Sequence, residues 1–463
     1  MILEQLYLAC LSQASYLIVD EKTKTAVVVD PRRDVGIYLE RVRELGATIR
    51  HVLLTHFHAD FLAGHIELRE KTGATIHLGA RARAHYPFQP MQDGGALELG
   101  DVRLEFLETP GHTPESVSIV VYDLAADRQK PRAVLTGDTL FIGDVGRPDL
   151  MVAAGMKAED LAASLYDSLH GKLLELPDET LVYPGHGAGS ACGKSLSSET
   201  VSTLGAQRRQ NYALAPMSKE EFVRRITADQ PEAPAYFSYD AGLNRAERPT
   251  LESVLSRALK PLALDEVLRL ANAGAQVLDT RDADSFAAAH LAGSIHIGLS
   301  GRYASWVGAL LDPGKPIVLV CEPGKEEESA MRLGRIGFDR IAGVLEGGVQ
   351  AAASRPALVI RRARVTREAL AKRLASPTPP QVVDVRTASE WQAGHIDGAL
   401  HVPLNTLEQH LARIPKSREL VVVCKSGYRS SIAASLLERA GLQRVTDLVG
   451  GMDAWEKGLA RTS

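Results

Sequence analysis

The chain has 463 residues, too many for one hydrophobic core, so two to four domains are expected. A formal net charge of -4 offers no basic field for nucleic acid, and no apolar run is long enough to span a bilayer. Hydrophobic content of 45% and charged content of 24% are those of an ordinary globular protein. Met1-Ile2-Leu3-Glu4-Gln5 lacks the basic start and apolar core of a signal peptide. Four cysteines, Cys10, Cys192, Cys321 and Cys424, make no disulfide framework at this length. A reducing cytoplasm is therefore expected, and each thiol is a candidate reactive group.

A first region, residues 1–245, opens with three predicted strands: Leu6 to Cys10, Ser15 to Asp20 and Ala26 to Asp30. Apolar spacing at Ile37, Leu39, Val42 and Leu45, ended by Gly46, predicts a helix over Val35 to Leu45. Val52-Leu53-Leu54 reads as a buried strand. It runs into Thr55-His56-Phe57-His58-Ala59-Asp60-Phe61, where alternate histidines and an aspartate leave a strand end. A second helix is predicted over Gly64 to Lys71. Three further strands are each followed by a loop bearing a polar residue. Val102 to Leu107 precedes His112, Ala133 to Thr136 precedes Asp138, and Leu181 to Tyr183 precedes His186. Each residue alone reads as a turn or a cap. Together, on converging strand ends, they read as a metal site, since imidazole and carboxylate suit zinc or iron.

The stretch from His56 to Asp60 resembles the HxHxDH signature of the metallo-β-lactamase superfamily, with Phe61 in place of its final histidine. That histidine serves the second of two metals, so its loss points to one metal. The region resembles the persulfide dioxygenases of that superfamily in Thr55 to Asp60, Gly111-His112-Thr113, Thr136 to Leu140, Gly146-Arg147-Pro148-Asp149, Tyr183 to His186 and Met217 to Phe222. The resemblance implies one Fe(2+) held by His56, His112 and Asp138. His58, Asp60 and His186 would then orient ligands and solvent. A two-zinc thioester hydrolase of the hydroxyacylglutathione hydrolase type is the alternative; Phe61 and Glu115, where such hydrolases commonly carry glycine, argue against it. Arg147 is read as an anion handle for the substrate or a brace for the site. Cys192 sits in a Gly-rich loop expected to be exposed, where Lys194 would favour a thiolate able to hold a persulfide.

After a connecting stretch of about residues 245–260, the chain repeats itself. Val277-Leu278-Asp279-Thr280-Arg281 matches Val382-Val383-Asp384-Val385-Arg386, and Ile317 to Cys321 matches Leu420 to Cys424. The order strand, helix, strand, loop, helix predicts two small α/β domains with parallel sheets, over 260–355 and 358–463. Both resemble rhodanese (sulfurtransferase) domains. In the second, Cys424-Lys425-Ser426-Gly427-Tyr428-Arg429 follows an apolar strand and opens a helix predicted over Ser430 to Arg439. Backbone N–H groups, the helix dipole, Lys425 and Arg429 would stabilise a Cys424 thiolate and attract sulfite or thiosulfate. Cys424 and Arg429 are read as catalytic, and Lys425, Ser426, Gly427 and Tyr428 as substrate-binding. In the first copy Glu322, Glu326, Glu327 and Glu328 crowd Cys321 and should raise its pKa and repel anions. That copy is read as degenerate and mainly structural.

The expected architecture is an αββα metallo-β-lactamase sandwich followed by two rhodanese-like α/β domains, as in persulfide dioxygenase–rhodanese fusions. The activity this implies is oxidation of a small thiol persulfide (of glutathione, coenzyme A or similar) by O2 to sulfite. Rhodanese transfer of sulfane sulfur between persulfide, sulfite and thiosulfate would be coupled to it. No nucleic acid or membrane partner is expected, and a homo-oligomer is left open.

Overall fold

The structure, a computed structural model, describes residues 1–152, 155–230 and 233–459. The last residues of the predicted 358–463 domain, 460–463, lie outside the described residues, as do 153–154 and 231–232 within the first region. The chain divides into two compact units: Met1–Ser253 with Gly334–Gly337, and Val254–Leu333 with Phe338–Ser463. Each unit is taken by itself below. No described helix is long and apolar enough to cross a membrane.

The first unit is an αββα sandwich. One six-stranded sheet runs, in spatial order, Ile2–Leu8, Gln13–Asp20, Thr25–Val29, Thr48–Leu53, Thr75–Gly79, Gln89–Met91. The other runs Ser202–Thr203, Leu181–Pro184, Ala133–Gly137, Val117–Asp123, Val102–Glu108, Ala96–Leu99. Their facing sides bury Ile18, Val27 and Leu53 with Leu104, Ile119 and Leu135. Each such side chain contributes about 1.5–3 kcal/mol on burial. The outer face of the first sheet is covered through Tyr38, Val42 and Leu68 from the helices Gly36–Glu44 and His65–Thr72. That of the second is covered through Leu165, Leu169, Phe222 and Ile226 from Ala158–Gly171 and Lys219–Thr227. Strands buried on both faces explain the continuous apolar runs in the sequence.

The first strand departs from expectation. It spans Ile2–Leu8 rather than Leu6 to Cys10, pairing antiparallel with Gln13–Asp20. It is an edge strand, and partial exposure accommodates Glu4 and Gln5 where an apolar criterion rejects them.

The second unit holds both repeats. Each forms a five-stranded, wholly parallel sheet in the same order. The first runs Pro261–Leu262, Ile341–Leu345, Ile317–Val320, Gln276–Asp279, Ile295–His296. The second runs Arg364–Val365, Val445–Leu448, Leu420–Val423, Gln381–Asp384, Leu400–His401. The Asp-x-Arg of each copy has a common structural purpose. Arg281 pairs with Asp279 (2.7 Å) and donates to Ala289 O, while Arg386 pairs with Asp384 (2.7 Å) and donates to Gly394 O. The carbonyls of Arg281 and Arg386 each accept from a histidine Nε2, His296 and His401, at 2.9 Å. The motif thus ties a strand end to the following helix and the edge strand, satisfying buried charge and backbone together.

Candidate functional site

Three loops at the sheet edges of the first unit meet in one buried cluster. His56 follows the strand Thr48–Leu53, His112 follows Val102–Glu108, and Asp138 follows Ala133–Gly137. Gly137 adopts φ +51°, and a Cβ there would meet Thr55 Oγ1 at 2.5 Å, so only glycine turns Asp138 inward. One ligand atom from each of His56, His112 and Asp138 lies within 4.8 Å of the others. His56 Nε2 and His112 Nε2 stand 3.8 and 3.5 Å from Asp138 Oδ2.

Hydrogen bonds choose the histidine tautomers. His112 Nδ1 is 2.9 Å from the Arg147 carbonyl, which can only accept. His56 Nδ1 is 2.9 Å from Thr55 Oγ1, whose own proton goes to Asp30 Oδ2 at 2.8 Å. Both rings therefore carry hydrogen on Nδ1 and turn a bare Nε2 lone pair to the cluster, as metal ligation requires. Burial, together with the neighbouring His58, pushes His56 well below the usual histidine range, so its neutral form is the stable one. Burial works against the Asp138 carboxylate, but His186 and His56 outweigh it and keep it ionised. Two neutral imidazoles and one carboxylate on rigid strand ends fit a divalent metal with open positions.

Behind this cluster, His186 lies between two carboxylates, with Nδ1 2.8 Å from Asp138 Oδ1 and Nε2 2.9 Å from Asp60 Oδ2. Burial opposes its cation, yet the two aspartates outweigh burial and raise its pKa well above the ordinary value. His58 Nε2 is 3.0 Å from Asp30 Oδ1 without hydrogen-bond geometry, and its ring lies 4.3 Å from that of Phe61. Phe61 is itself buried.

Asp60, His186 and Cys192 form a second group with ligand atoms within 4.8 Å. Cys192 is buried, contrary to the exposed loop expected from its glycines. Burial, then Asp60 and Asp138, push its thiol well above the usual range, so Cys192 is a neutral thiol and not the thiolate expected. Lys194 cannot offset this, because its ammonium turns away to the carbonyls of Arg225 and Ala228. Arg147 likewise departs from an anion handle. It is buried, bidentate on Asp149 at 2.7 and 2.8 Å, and bonded to Ala191 O. Its guanidinium is committed to the fold, and its carbonyl orients His112.

Sequence patterns did not disclose three residues that hold the metal loop. Asp30, at φ +49°, accepts both the N–H and the hydroxyl of Thr55 at 2.8 Å. Glu115 Oε1 accepts the Phe57 N–H at 3.0 Å. Asn244 donates to the carbonyls of His58 and Phe61 (2.8 Å each) and accepts from Ala63 N–H (2.9 Å). An aspartate closing a predicted strand before a proline was the one available signal for Asp30. Glu115 stood out only as a departure from the glycine of the hydrolases, and Asn244 had no signal, being remote in sequence from the loop it clasps.

In the second unit, Cys424 follows the strand Leu420–Val423 and lies at the start of the helix Tyr428–Arg439. The helix begins two residues earlier than expected, because Gly427 at φ +96° turns the chain directly into it. Cys424 Sγ accepts from Gly427 N–H at 3.1 Å and lies 3.6 Å from Ser430 Oγ. Lys425 and Ser426 are exposed beside it, and Tyr428 donates to Gly298 O at 2.8 Å. Arg429 is not a free cation: it is bidentate on Glu390 at 2.7 and 2.8 Å, and this pair holds the Glu390 carboxyl at about 2. The loop is thus less cationic than its sequence suggests. Cys321 in the first repeat faces a cavity of about 550 Å³ lined by Arg281, Glu322, Glu326 and Glu346. Its thiol is raised, first by burial and only secondarily by Glu326 and Asp279.

Residues 8–186 match the metallo-beta-lactamase superfamily, and residues 263–354 and 366–458 each match the rhodanese-like domain. The Bos taurus protein named Persulfide dioxygenase ETHE1, mitochondrial, is 31% identical over 215 residues, spanning 45% of this chain and 74% of its own. A probable hydroxyacylglutathione hydrolase of Schizosaccharomyces pombe is 29% identical over 210 residues, spanning 43% and 75%. Among solved structures, a metallo-beta-lactamase from Staphylococcus aureus aligns with 74% of this chain and 98% of its own, at 31% identity and a TM-score of 0.66.

Proposed function

Since the chain belongs to the metallo-beta-lactamase superfamily, with a domain homologous to persulfide dioxygenases followed by two rhodanese-like domains, we propose that it oxidises a small thiol persulfide and passes sulfane sulfur through its last domain. The overall reactions would be RSSH + O2 + H2O → RSH + H2SO3, and Cys-S-S⁻ + SO3²⁻ → Cys-S⁻ + S2O3²⁻. The observation that carries this reading is the buried His56, His112 and Asp138 group, with both imidazoles fixed in the ligating tautomer. A site of two histidines and one carboxylate with open positions suits Fe(2+), which when bound supplies oxygen activation.

In this proposal His56, His112 and Asp138 hold the metal, while His58, Asp60 and His186 orient it and its solvent. A protonated His186 would lend positive charge behind Asp138. The residues around the cluster exclude water, since all six of these side chains are buried. In the last domain Cys424 is the nucleophile. Its sulfur already accepts a backbone N–H at the helix start, where a persulfide or thiolate gains further stabilisation. Lys425 and Ser426, exposed at the loop, would meet the incoming anion. Gly427 and Tyr428 hold the loop in shape, and Arg429 braces it through Glu390. Cytoplasmic placement follows from the cysteine usage, as part of this proposal.

The Asp60, His186 and Cys192 group favours a second reading, a two-metal thioester hydrolase, which the hydroxyacylglutathione hydrolase relative also supports. Phe61 stands against it, since a buried phenyl ring beside His58 offers no lone pair where the superfamily signature has a histidine. The test is oxygen uptake with purified persulfides, with metal content measured on the same sample. Stoichiometric iron with sulfite formation supports the proposal, and two zinc ions with thioester cleavage and no oxygen uptake overturn it.

A further inference from the structure

The first unit carries a half-open cleft of about 200 Å³ whose walls include Phe57, Ala59, Thr113, Met151, Phe237 and Arg245. Phe57 and Ala59 alternate with His56 and His58, and Thr113 follows His112, so the cleft lies beside the loops that carry the cluster, although none of His56, His112 or Asp138 lines it. Its walls are mostly apolar, and among the described residues Arg245 is its single charged wall. The Arg245 guanidinium carbon lies 5.2 Å from the centre of the Phe57 ring, and Nη2 lies 3.9 Å from Met151 Sδ. Nε is buried without a hydrogen-bond partner. Among the described residues no carboxylate stands within ion-pair distance of Arg245, whereas Arg147 is committed to Asp149. The base of the side chain is fixed, because the Arg245 carbonyl accepts His85 N–H at 2.8 Å and the adjoining Asn244 is locked onto the metal loop.

The Arg245 guanidinium is half-buried at this apolar cleft with no ion-pair partner among the described residues, which leaves it available for bidentate contact with a ligand carboxylate. The space is smaller than the roughly 300–1,000 Å³ of sites that enclose a drug-sized molecule, so the part of a ligand held here is compact. We propose that Arg245 determines substrate choice at this site. It would pair with the carboxylate of a compact thiol persulfide whose apolar stem lies against Phe57, Met151 and Phe237 and whose sulfur points to the metal cluster. This inference rests on the persulfide reading of the site.

The test uses the full-length, metal-loaded chain and two probes of similar length, 3-mercaptopropionate and the uncharged 2-mercaptoethanol. Binding of the unreacted thiols is measured anaerobically by calorimetry, and oxygen uptake is measured with the persulfide of each. The wild type should bind 3-mercaptopropionate the more tightly. Arg245→Gln should weaken that binding by about ten-fold or more, roughly 1.4 kcal/mol, and leave 2-mercaptoethanol within about two-fold. KM for the carboxylate persulfide should rise by the same factor with kcat nearly unchanged, and Arg245→Lys should restore part of the loss. Equal losses for both thiols would show a merely structural arginine and overturn the inference. So would unchanged binding in the variant, or a wild type that binds 3-mercaptopropionate no better than 2-mercaptoethanol. Carboxylate-selective binding that depends on Arg245, with no oxygen uptake from either persulfide, supports the anchor while refuting the dioxygenase reading.

Discussion

Replacing Asn244 with alanine should damage the metal loop while leaving every proposed ligand in the chain. Asn244 is fully buried in the helix Phe237–Arg245 and makes three hydrogen bonds to the backbone of residues 58–63. Alanine orphans two carbonyls and one N–H, each costing about 1–3 kcal/mol when left unsatisfied. Water entering the vacated space recovers part of this, so a net loss of about 3–5 kcal/mol is expected, against a typical domain stability of about 5–15 kcal/mol. The melting temperature of the first unit should fall by on the order of 10 °C. Asn244→Asp is the sharper control: it keeps the acceptor for Ala63 N–H but sets a carboxylate against two carbonyls, so it should be at least as damaging. All three tryptophans, Trp306, Trp391 and Trp455, lie in the second unit. Tryptophan fluorescence therefore follows that unit, and calorimetry with metal content follows the first. An Asn244→Ala protein that melts within about 1 kcal/mol of wild type and retains its full metal content would refute the clamp.

His56→Ala or Asp138→Ala should abolish oxygen uptake and lower bound iron from about one per chain, checked by elemental analysis; full iron in both variants would reassign the ligands. Cys424→Ser should abolish thiosulfate:thiol sulfur transfer and leave oxygen uptake largely intact, and surviving transfer would identify another cysteine as the carrier. Cys321→Ser should change neither activity, since burial and nearby carboxylates hold that thiol protonated. A raised thiol pKa means less thiolate at neutral pH, so iodoacetamide labelling of Cys321, followed by peptide mass mapping, should increase only at pH above the ordinary thiol range. Rapid labelling at pH 7 would contradict it.

Local pattern carried much of this protein. Apolar runs mark the strands, and the residues after them mark which segments can offer ligands, because strand direction determines where each run delivers its last side chain. His56, His112 and Asp138 come together for that reason. The repeat was equally legible, since Asp-x-Arg and strand-Cys-loop recur at matching positions and a parallel α/β unit brings them to matching places. Element ends were less legible at the edge strand Ile2–Leu8, where half-exposure removes the apolar signal.

Sequence alone determined the architecture, the residue types at the site and the doubling of the last two domains, because these depend on periodicity and on chemistry local to a few residues. Only the tertiary structure decided which charges are free. Arg147 and Arg429 look like anion handles in a string of letters, yet each is consumed by a carboxylate, Asp149 or Glu390. Cys192 looks exposed among glycines and is buried beside two aspartates. Arg245, with no motif around it, lines a cleft without an ion-pair partner among the described residues. Charge pairing, desolvation and the clasp of Asn244 on a loop 186 residues away depend on distances across the fold, and those are settled by packing between segments far apart in the chain.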